Sequence, residues 1–213
     1  MGEDHIEQWQ DCVTDLDFYL NFLLHAILGR LREADTLMHM VSNNIRTVAR
    51  QIAVQYPVAR VPLYRGMLLD PEKTYAADPK LTFLSWSEDK DVARWFACPR
   101  SAVSEPLAAT NAKLRGHLVE LLETSDPPPR VLFHYSWTFL LEDICAMARA
   151  HPLMGDEAKR QIKWSLRTQR EVVTEPIDGL SPKQTPDLAS EELEALERKL
   201  SPPWIVAAEG IRR

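Results

Sequence analysis

The 213-residue chain has few cysteines, few glycines and no excess of positive charge. Its three cysteines, Cys12, Cys98 and Cys145, show no CxxC spacing, so neither a disulfide framework nor a zinc knuckle is indicated. The formal net charge of −6 excludes a general attraction to phosphate backbones or anionic membranes, although it leaves room for a local basic groove. This cysteine usage favours a reducing, cytoplasmic compartment.

The chain also lacks a long apolar run, a secretion signal and the motifs of several enzyme classes. Its most apolar window, residues 18–28, contains Asn21 and His25 and is too short and too polar to span a bilayer. The acidic start MGEDHIEQWQ does not resemble a signal peptide. There is no HExxH, GxSxG or P-loop pattern, and the six histidines have no metal-ligand spacing. Neither a metal nor a membrane contact is therefore expected.

The composition, 45% hydrophobic and 26% charged, is that of an ordinary globular protein, and one domain over residues 1–213 is expected. Apolar spacings of three and four predict helices over residues 14–32 and 35–55, which form a helical part at 1–56. The core, 57–177, has predicted strands at 58–68, 81–87, 117–123 and 131–135, and helices at 137–150 and 156–164. The last part, 178–213, contains a loop, a helix at 190–200 and a strand at 204–208.

Arg65 lies on a predicted strand whose other positions on the same face are apolar. With a two-residue period, Arg65 shares its face with Val61, Leu63 and Met67. An unpaired guanidinium there would be costly, so Arg65 needs an anionic partner. That partner is either a carboxylate of the protein, the commoner case, or a ligand phosphate, which the planar guanidinium matches well. Gly66 beside it would let a ligand approach closely.

The sequence LTFLSWSEDKDVARWFA at residues 81–97 predicts a strand that runs directly into a helix. Ser85 and Ser87 share one face of the strand with Leu81 and Phe83. Ser87 is followed by two acidic residues and then by apolar residues at helical spacing, which predicts that Ser87 caps the helix. Two hydroxyls at this junction can orient a ligand or another side chain. The alternative is one capping serine beside a chance neighbour.

A third polar pair occurs in KWSLRTQREVVTEP, residues 163–176, which predicts a polar turn entering a strand. On the two-residue period, Gln169 and Glu171 would project side by side from one face of that strand. The plain interpretation is an edge strand with solvated charges. The alternative is a ligand site that uses an amide and a carboxylate.

Taken in this order, YRG at 64–66, FLSWSEDKDVARWFA at 83–97 and TQREVV at 168–173 resemble the mono-ADP-ribosyltransferases of the arginine, serine and glutamate class. The resemblance covers about residues 35–177, with the strand at 204–208 in addition. It implies an α+β fold, in which a split β-sandwich surrounds an NAD cleft and helices pack before the first motif. Trp86 stands where a threonine is common, but the period points it away from the serine face, so only packing should change.

The resemblance also implies roles for individual residues. Arg65 would contact the phosphates of NAD and the adjoining ribose, and Ser85 would hold the nicotinamide ribose and the catalytic glutamate in place. Glu171 would be that catalytic carboxylate, hydrogen-bonded to the ribose 2′-hydroxyl, and Gln169 would help to choose the acceptor group. The other residues expected along the cleft are Tyr64, Gly66, Phe96 and Ser87, the last of which would support the strand–helix junction.

The chemistry of NAD cleavage requires the same kinds of group. Breaking the nicotinamide–ribose bond builds oxocarbenium character, which a fixed carboxylate and hydrogen bonds to the ribose stabilise. Nicotinamide leaves as a neutral molecule, so no general acid is needed and one glutamate can suffice. Gln169 in place of a second glutamate removes the base expected for arginine acceptors. Family members with Gln-x-Glu modify asparagine or glutamine side chains, or bases such as guanine, and NAD is their consumed substrate.

The acceptor leaves alternatives open. The expected protein is a toxin or effector of bacterial or phage type, for which an antitoxin or immunity protein is a conceivable partner. A protein acceptor is slightly favoured by the acidic balance, whereas a nucleic-acid acceptor would need a local basic groove. Residues that could provide one are Lys159, Arg160, Lys163, Arg167 and Arg170. The other hypotheses are an NAD glycohydrolase, with water as acceptor, and a non-catalytic binding module, against which the intact Arg65, Ser85 and Glu171 argue.

Overall fold

The computed structural model describes residues 15–72, 75, 82–125, 128–150 and 155–201. This part of the chain contains seven α-helices and six strands, which confirms the α+β class. The helices are α1 (Asp15–Ile27), α2 (Leu31–Gln55), α3 (Lys90–Ala97), α4 (Glu105–Thr110), α5 (Thr138–Ala150), α6 (Gly155–Trp164) and α7 (Ser190–Leu200). The predicted strand at 204–208 lies outside the described residues.

The strands form one antiparallel sheet in the order β4-β5-β2-β1-β3-β6. Their bounds are β1 (Leu63–Leu69), β2 (Leu84–Ser87), β3 (Arg115–Leu121), β4 (Val131–His134), β5 (Glu171–Thr174) and β6 (Lys183–Gln184). β1 and β3 are joined by seven residue pairs, whereas β1 and β2 are joined by a single pair, Tyr64 with Ser87. The described sheet therefore has two three-stranded halves, β4-β5-β2 and β1-β3-β6, that meet at a weakly paired seam.

The helices of the first quarter cover one face of the sheet. α1 and α2 pack with α5 and α6 against Phe133 of β4 and Val173 of β5 in the largest apolar cluster. Gly29 joins α1 to α2 with a φ of +67°, a conformation that glycine adopts without strain. α2 is bent at Val41, where the backbone leaves helical geometry. None of the helices in the described residues is long and apolar enough to cross a membrane.

The opposite face of the sheet holds a smaller apolar cluster around Trp86. The Trp86 indole is buried, and its Nε1–H donates to Thr174 Oγ1 at 2.9 Å. Because neighbouring residues of a strand point to opposite faces, Trp86 lies away from Ser85, as the sequence period predicts. The bulky Trp86 side chain is thus accommodated by packing on this face.

A third cluster connects α3 and α7 to the end of α6. Trp95 of α3 and Trp164 of α6 lie with their ring centroids 6.0 Å apart and pack with Leu196 and Leu200 of α7. Trp164 Nε1–H donates to the Leu200 carbonyl at 2.7 Å. This cluster holds Trp164 in place, and Trp164 directly precedes the segment Ser165–Gln169 that leads into β5.

Two short elements are not predicted by the sequence pattern. The α4 helix is only six residues long and begins beside a proline, so it is too short to show a helical period. β6 has two residues, pairs with His117 and Leu118 of β3, and occupies a segment expected to be a loop. β6 is positioned by its pairing with β3 rather than by local propensity, whereas α4 contains no buried residue.

Candidate active site

Arg65, Ser85 and Glu171 meet at the seam of the sheet, each from a different strand. The Ser85 hydroxyl donates a hydrogen bond to Glu171 Oε1. Arg65 Nη1 donates to the main-chain carbonyl of Ser85 at 2.6 Å. Since the backbone pairing between β1 and β2 stops at Tyr64 and Ser87, the guanidinium provides the next connection across the seam. The three residues that the motifs single out therefore form one connected group.

Glu171 is a buried carboxyl group rather than a solvated charge on an edge strand. β5 lies between β4 and β2, all four of its residues are buried, and Glu171 is only 7% exposed. Burial raises the pKa of Glu171 from its ordinary 4.5 to about 7, although the hydrogen bond from Ser85 and the charge of Arg65 act in the opposite direction. The edge-strand interpretation of this segment is wrong, and the carboxyl is placed as a reactive group would be.

Arg65 is largely buried, and no carboxylate in the described part of the chain forms an ion pair with it. Its Nη1 is used by the Ser85 carbonyl, but its buried Nε has no hydrogen-bond acceptor among the described residues. Burial lowers the pKa of the guanidinium, while Tyr75 and Glu171 raise it. A buried donor without an acceptor is costly, so a ligand anion stays open as the partner of Arg65 beside the structural carboxylate.

Ser87 does not cap the helix, contrary to the prediction. The N-cap of α3 is Asp89, whose side chain accepts from the Asp91 main-chain N–H at 2.9 Å. Ser87 ends β2, its hydroxyl donates to the Gln169 carbonyl at 2.5 Å, and its Oγ accepts from the Asp89 main-chain N–H at 2.9 Å. Asp is as good a cap as Ser, and it stands two residues later in the same acidic segment. The expected support of the strand–helix junction by Ser87 is nevertheless observed.

Gln169 is not part of the strand, so the two-residue period does not relate it to Glu171. Residues Ser165–Gln169 form a π-helical turn at the end of α6, and Arg170 follows with a left-handed φ of +47°. A non-glycine residue in that conformation is uncommon and is held by its surroundings. Here the Arg170 guanidinium lies 5.9 Å from the centre of the Tyr135 ring. Gln169 is instead anchored through its carbonyl, which accepts from Ser87.

Gly66 allows a close approach, but the group that approaches is a helix and not a ligand. A Cβ atom at Gly66 would lie 1.7 Å from the Ala93 carbonyl oxygen of α3. The expected contact of Gly66 with NAD is therefore corrected to helix–strand packing, which brings α3 against β1. Tyr64 lies at the seam, with Lys90 Nζ 5.4 Å from its ring centre, and it remains a candidate for contact with NAD.

Phe96 lies in the cluster of α3, α6 and α7. Its ring centroid is 5.4 Å from that of Trp95 and 6.5 Å from that of Trp164. In the described part of the chain these are packing contacts. Phe96 supports Trp164 and thereby the start of the π-helical turn, so its structural place is behind the site rather than along the cleft.

A second hydrogen-bonded group, which the sequence interpretation missed, lies next to the site. The Glu88 carboxylate accepts from Tyr135 Oη–H at 2.8 Å and lies 2.8 Å from His134 Nε2. The Ser136 main-chain N–H donates to His134 Nδ1 at 3.1 Å, so Nε2 is the nitrogen that carries hydrogen and donates to Glu88. The Tyr135 main-chain N–H donates to the Glu171 carbonyl at 3.0 Å. The sequence signal that could have indicated this group is that Glu88 and Tyr135 are polar residues directly after the strands β2 and β4.

The group at the seam can hold an anion at Arg65 and a sugar hydroxyl at the Ser85–Glu171 pair. The described residues contain no cluster of three or more His, Cys, Asp or Glu side chains that could bind a metal ion. Comparison of the chain with family models, with curated proteins and with solved structures gives no match. The assignment of a function therefore rests on the chemistry of these side chains.

Proposed function

We propose that this protein is a mono-ADP-ribosyltransferase that cleaves NAD and transfers ADP-ribose to a macromolecular acceptor. The observation that carries the proposal is the connected group of Arg65, Ser85 and Glu171. The three motifs are far apart in the sequence, and nothing in their spacing obliges them to meet. Their side chains nevertheless converge on one seam, in the order that the resemblance implies.

Arg65 would bind the NAD phosphates. Its Nε is buried and has no acceptor among the described residues, so binding would have to uncover it before it donates to a phosphate oxygen, while Nη1 stays on the Ser85 carbonyl. An arginine fork that is partly anchored by the protein loses less conformational freedom when it binds a phosphate. The Ser85 carbonyl and the charge of Glu171 offset part of the cost of burying the guanidinium, and a bound phosphate would offset more of it.

Glu171 would stabilise the ribose as the bond to nicotinamide breaks. Its carboxylate would accept the ribose 2′-hydroxyl and face the developing oxocarbenium charge in a site from which water is largely excluded. Ser85 fixes one carboxylate oxygen, so the other remains for the substrate. The positive nicotinamide ring of bound NAD would favour the ionised form of Glu171, whose pKa of about 7 leaves it easily ionised near neutral pH.

The finer fold assignment belongs to the same proposal. The two halves of the sheet, joined by a single residue pair, would correspond to the two parts of the split β-sandwich of this family. The NAD cleft would then run along the seam, with Tyr64 at its border. A role as a toxin or effector, with an antitoxin partner, follows from the resemblance alone.

The decisive experiment compares Glu171→Gln with Glu123→Gln, which changes an exposed carboxylate outside the site in the same way. Each protein is incubated with a cell lysate and with NAD labelled in its adenylate, and both released nicotinamide and labelled polymer are measured. Loss of one preorganised electrostatic contact costs about 100-fold or more in rate, so Glu171→Gln should nearly abolish both signals.

The outcomes separate the alternatives. Full activity of Glu171→Gln would refute the assignment. Nicotinamide release without a labelled polymer would indicate an NAD glycohydrolase. No release by the wild-type protein would leave only a binding module. Sensitivity of the label to protease or to nuclease identifies the acceptor as protein or nucleic acid.

A further inference from the structure

A cavity of about 670 Å³ opens between α5 and α6, beside the strand that carries Glu171. Tyr135, Ser136 and Leu166 are among its lining residues. Tyr135 is hydrogen-bonded through its main chain to Glu171, and Leu166 belongs to the π-helical turn that leads into Glu171. Two residues that line this α5–α6 cavity, Tyr135 and Leu166, thus connect it to the segments next to Glu171, the proposed catalytic carboxylate.

The order of the strands separates the cavity from the proposed binding site for the NAD phosphates. Along the sheet, β5 with Glu171 lies between β4, whose end borders the cavity, and the strands β2 and β1, which carry Ser85 and Arg65. NAD bound by Arg65 would reach Glu171 from one side of β5. The cavity lies on the other side, at the end of β4.

The charge of the cavity is opposite to that of the whole chain. Arg149, Lys159 and Lys163 line it together with a single carboxylate, that of Glu142, although the formal net charge of the protein is −6. Lys159 is partly neutralised by Asp156 at 3.3 Å. Arg149 and Lys163 are exposed and form no ion pair with any described residue, so both are available to an anion.

The cavity also has apolar and planar surfaces. Leu141 and Leu166 contribute apolar lining. The Tyr135 ring, which lines the cavity, stacks on His134 with centroids 4.7 Å apart, and the exposed guanidinium of Arg170, outside the lining, lies 5.9 Å from its centre. Arginine and aromatic planes of this kind stack with unpaired bases, and adjacent cations bind the phosphates of the same strand. A flexible acidic peptide would need the cations but not the planes.

We infer that the α5–α6 cavity is the acceptor site of the proposed transferase and that it takes a single-stranded nucleic acid, with phosphates on Arg149 and Lys163 and a base beside Tyr135, at the edge of the cavity where Arg170 approaches. This rests on the proposed function, because the cavity serves transfer only if Glu171 promotes NAD cleavage. It also reverses the slight preference for a protein acceptor, which came from the net charge alone. The local charge of the cavity decides which ligand it attracts, because salt screens the interaction between exposed charges beyond about 8–10 Å.

The reaction in this arrangement is a substitution at the anomeric carbon of the nicotinamide ribose. The bond from that carbon to the nicotinamide nitrogen breaks, and the electron pair leaves with neutral nicotinamide. A nitrogen of the base forms the new bond with its lone pair, and the proton that it loses passes to solvent. No oxidant, reductant or metal is needed.

The test measures binding without turnover. Fluorescein-labelled single-stranded RNA and DNA of about 15 nucleotides, long enough to cover one binding site, are titrated into Glu171→Gln protein, and the anisotropy is followed at several salt concentrations. The same protein with Arg149→Gln and Lys163→Gln should bind about tenfold or more weakly, with the slope of log K against log salt reduced by about 1.4 for two lost phosphate contacts. The matched control carries Arg50→Gln and Arg198→Gln, which remove two exposed charges from α2 and α7. It should bind like the parent.

Three results would overturn the inference. They are no measurable binding of either probe, equal weakening by the two double variants, and a wild-type label that resists nuclease but is lost to protease. In the last case NAD cleavage and transfer would still stand, so failure of the acceptor assignment is distinguishable from failure of the proposed function. A preference for one of the two probes would identify the acceptor as RNA or DNA.

Discussion

The buried carboxyl group of Glu171 should reduce the stability of the fold at neutral and alkaline pH, and Glu171→Gln should remove that penalty. The folded protein retains the Glu171 proton up to a pKa of about 7, whereas the unfolded chain loses it near 4.5. The contribution of this group to stability is therefore fully present below pH 4.5 and is lost as the pH rises through 7. Since one pKa unit is worth about 1.4 kcal/mol, the loss is about 3 kcal/mol.

Urea unfolding of the wild type and of Glu171→Gln at about pH 5 and pH 8 measures this effect. Glutamine retains an oxygen to accept from Ser85 and carries no charge, so its advantage over the wild type should grow by about 2.5 kcal/mol between the two pH values. Glu123→Gln, an exposed replacement of the same kind, serves as control. An advantage that stays constant with pH would refute the argument that burial governs the protonation of Glu171.

Three further predictions follow from the structure. Gly66→Ala should destabilise the protein by about 3 kcal/mol or more, because the added methyl group would overlap the Ala93 carbonyl; an unchanged melting temperature would contradict the close packing of α3 on β1. The kcat/KM for NAD should rise about tenfold per pH unit below pH 7 and level off above it, as Glu171 ionises. Because the Ser85 hydrogen bond lowers the pKa of Glu171, Ser85→Ala should move the midpoint of that profile to higher pH, and a midpoint that stays in place would count against the pair.

The helices were the most predictable part of the fold. Strong apolar periodicity placed α5 and α7 within one residue of their observed bounds and α2 within four, since burial of one face is a signal repeated at every turn. The helix predicted over residues 14–32 was too long, because α1 ends at Ile27 and the chain turns at Gly29 before α2 begins. The strands at Arg65 and Ser85 were also located, although β2 begins at Leu84 and not at residue 81. Short elements such as β6 carry too few residues to show a period.

The site was predictable in its members but not in its geometry. Motif order predicts Arg65, Ser85 and Glu171 as site residues, but it does not indicate that burial raises the pKa of Glu171. The π-helical turn before it was missed, because the left-handed backbone of Arg170 is set by tertiary surroundings and not by local propensity. The hydrogen-bonded group around Glu88 was missed for a similar reason, since its partners His134 and Tyr135 are 46 and 47 residues away in the sequence.

The seam between β1 and β2 has fewer residue pairs than any other junction of the described sheet. Separating the two halves of the sheet breaks the pairing of Tyr64 with Ser87 and the contact of Arg65 with the Ser85 carbonyl. It leaves intact the seven pairs of β1 with β3 and the four of β2 with β5. The halves are also held together away from the seam, because α3 directly follows β2 and packs on Gly66 of β1, and because Leu63 and Val119 share an apolar cluster with Trp86. Opening the seam would therefore require α3 and this cluster to move as well.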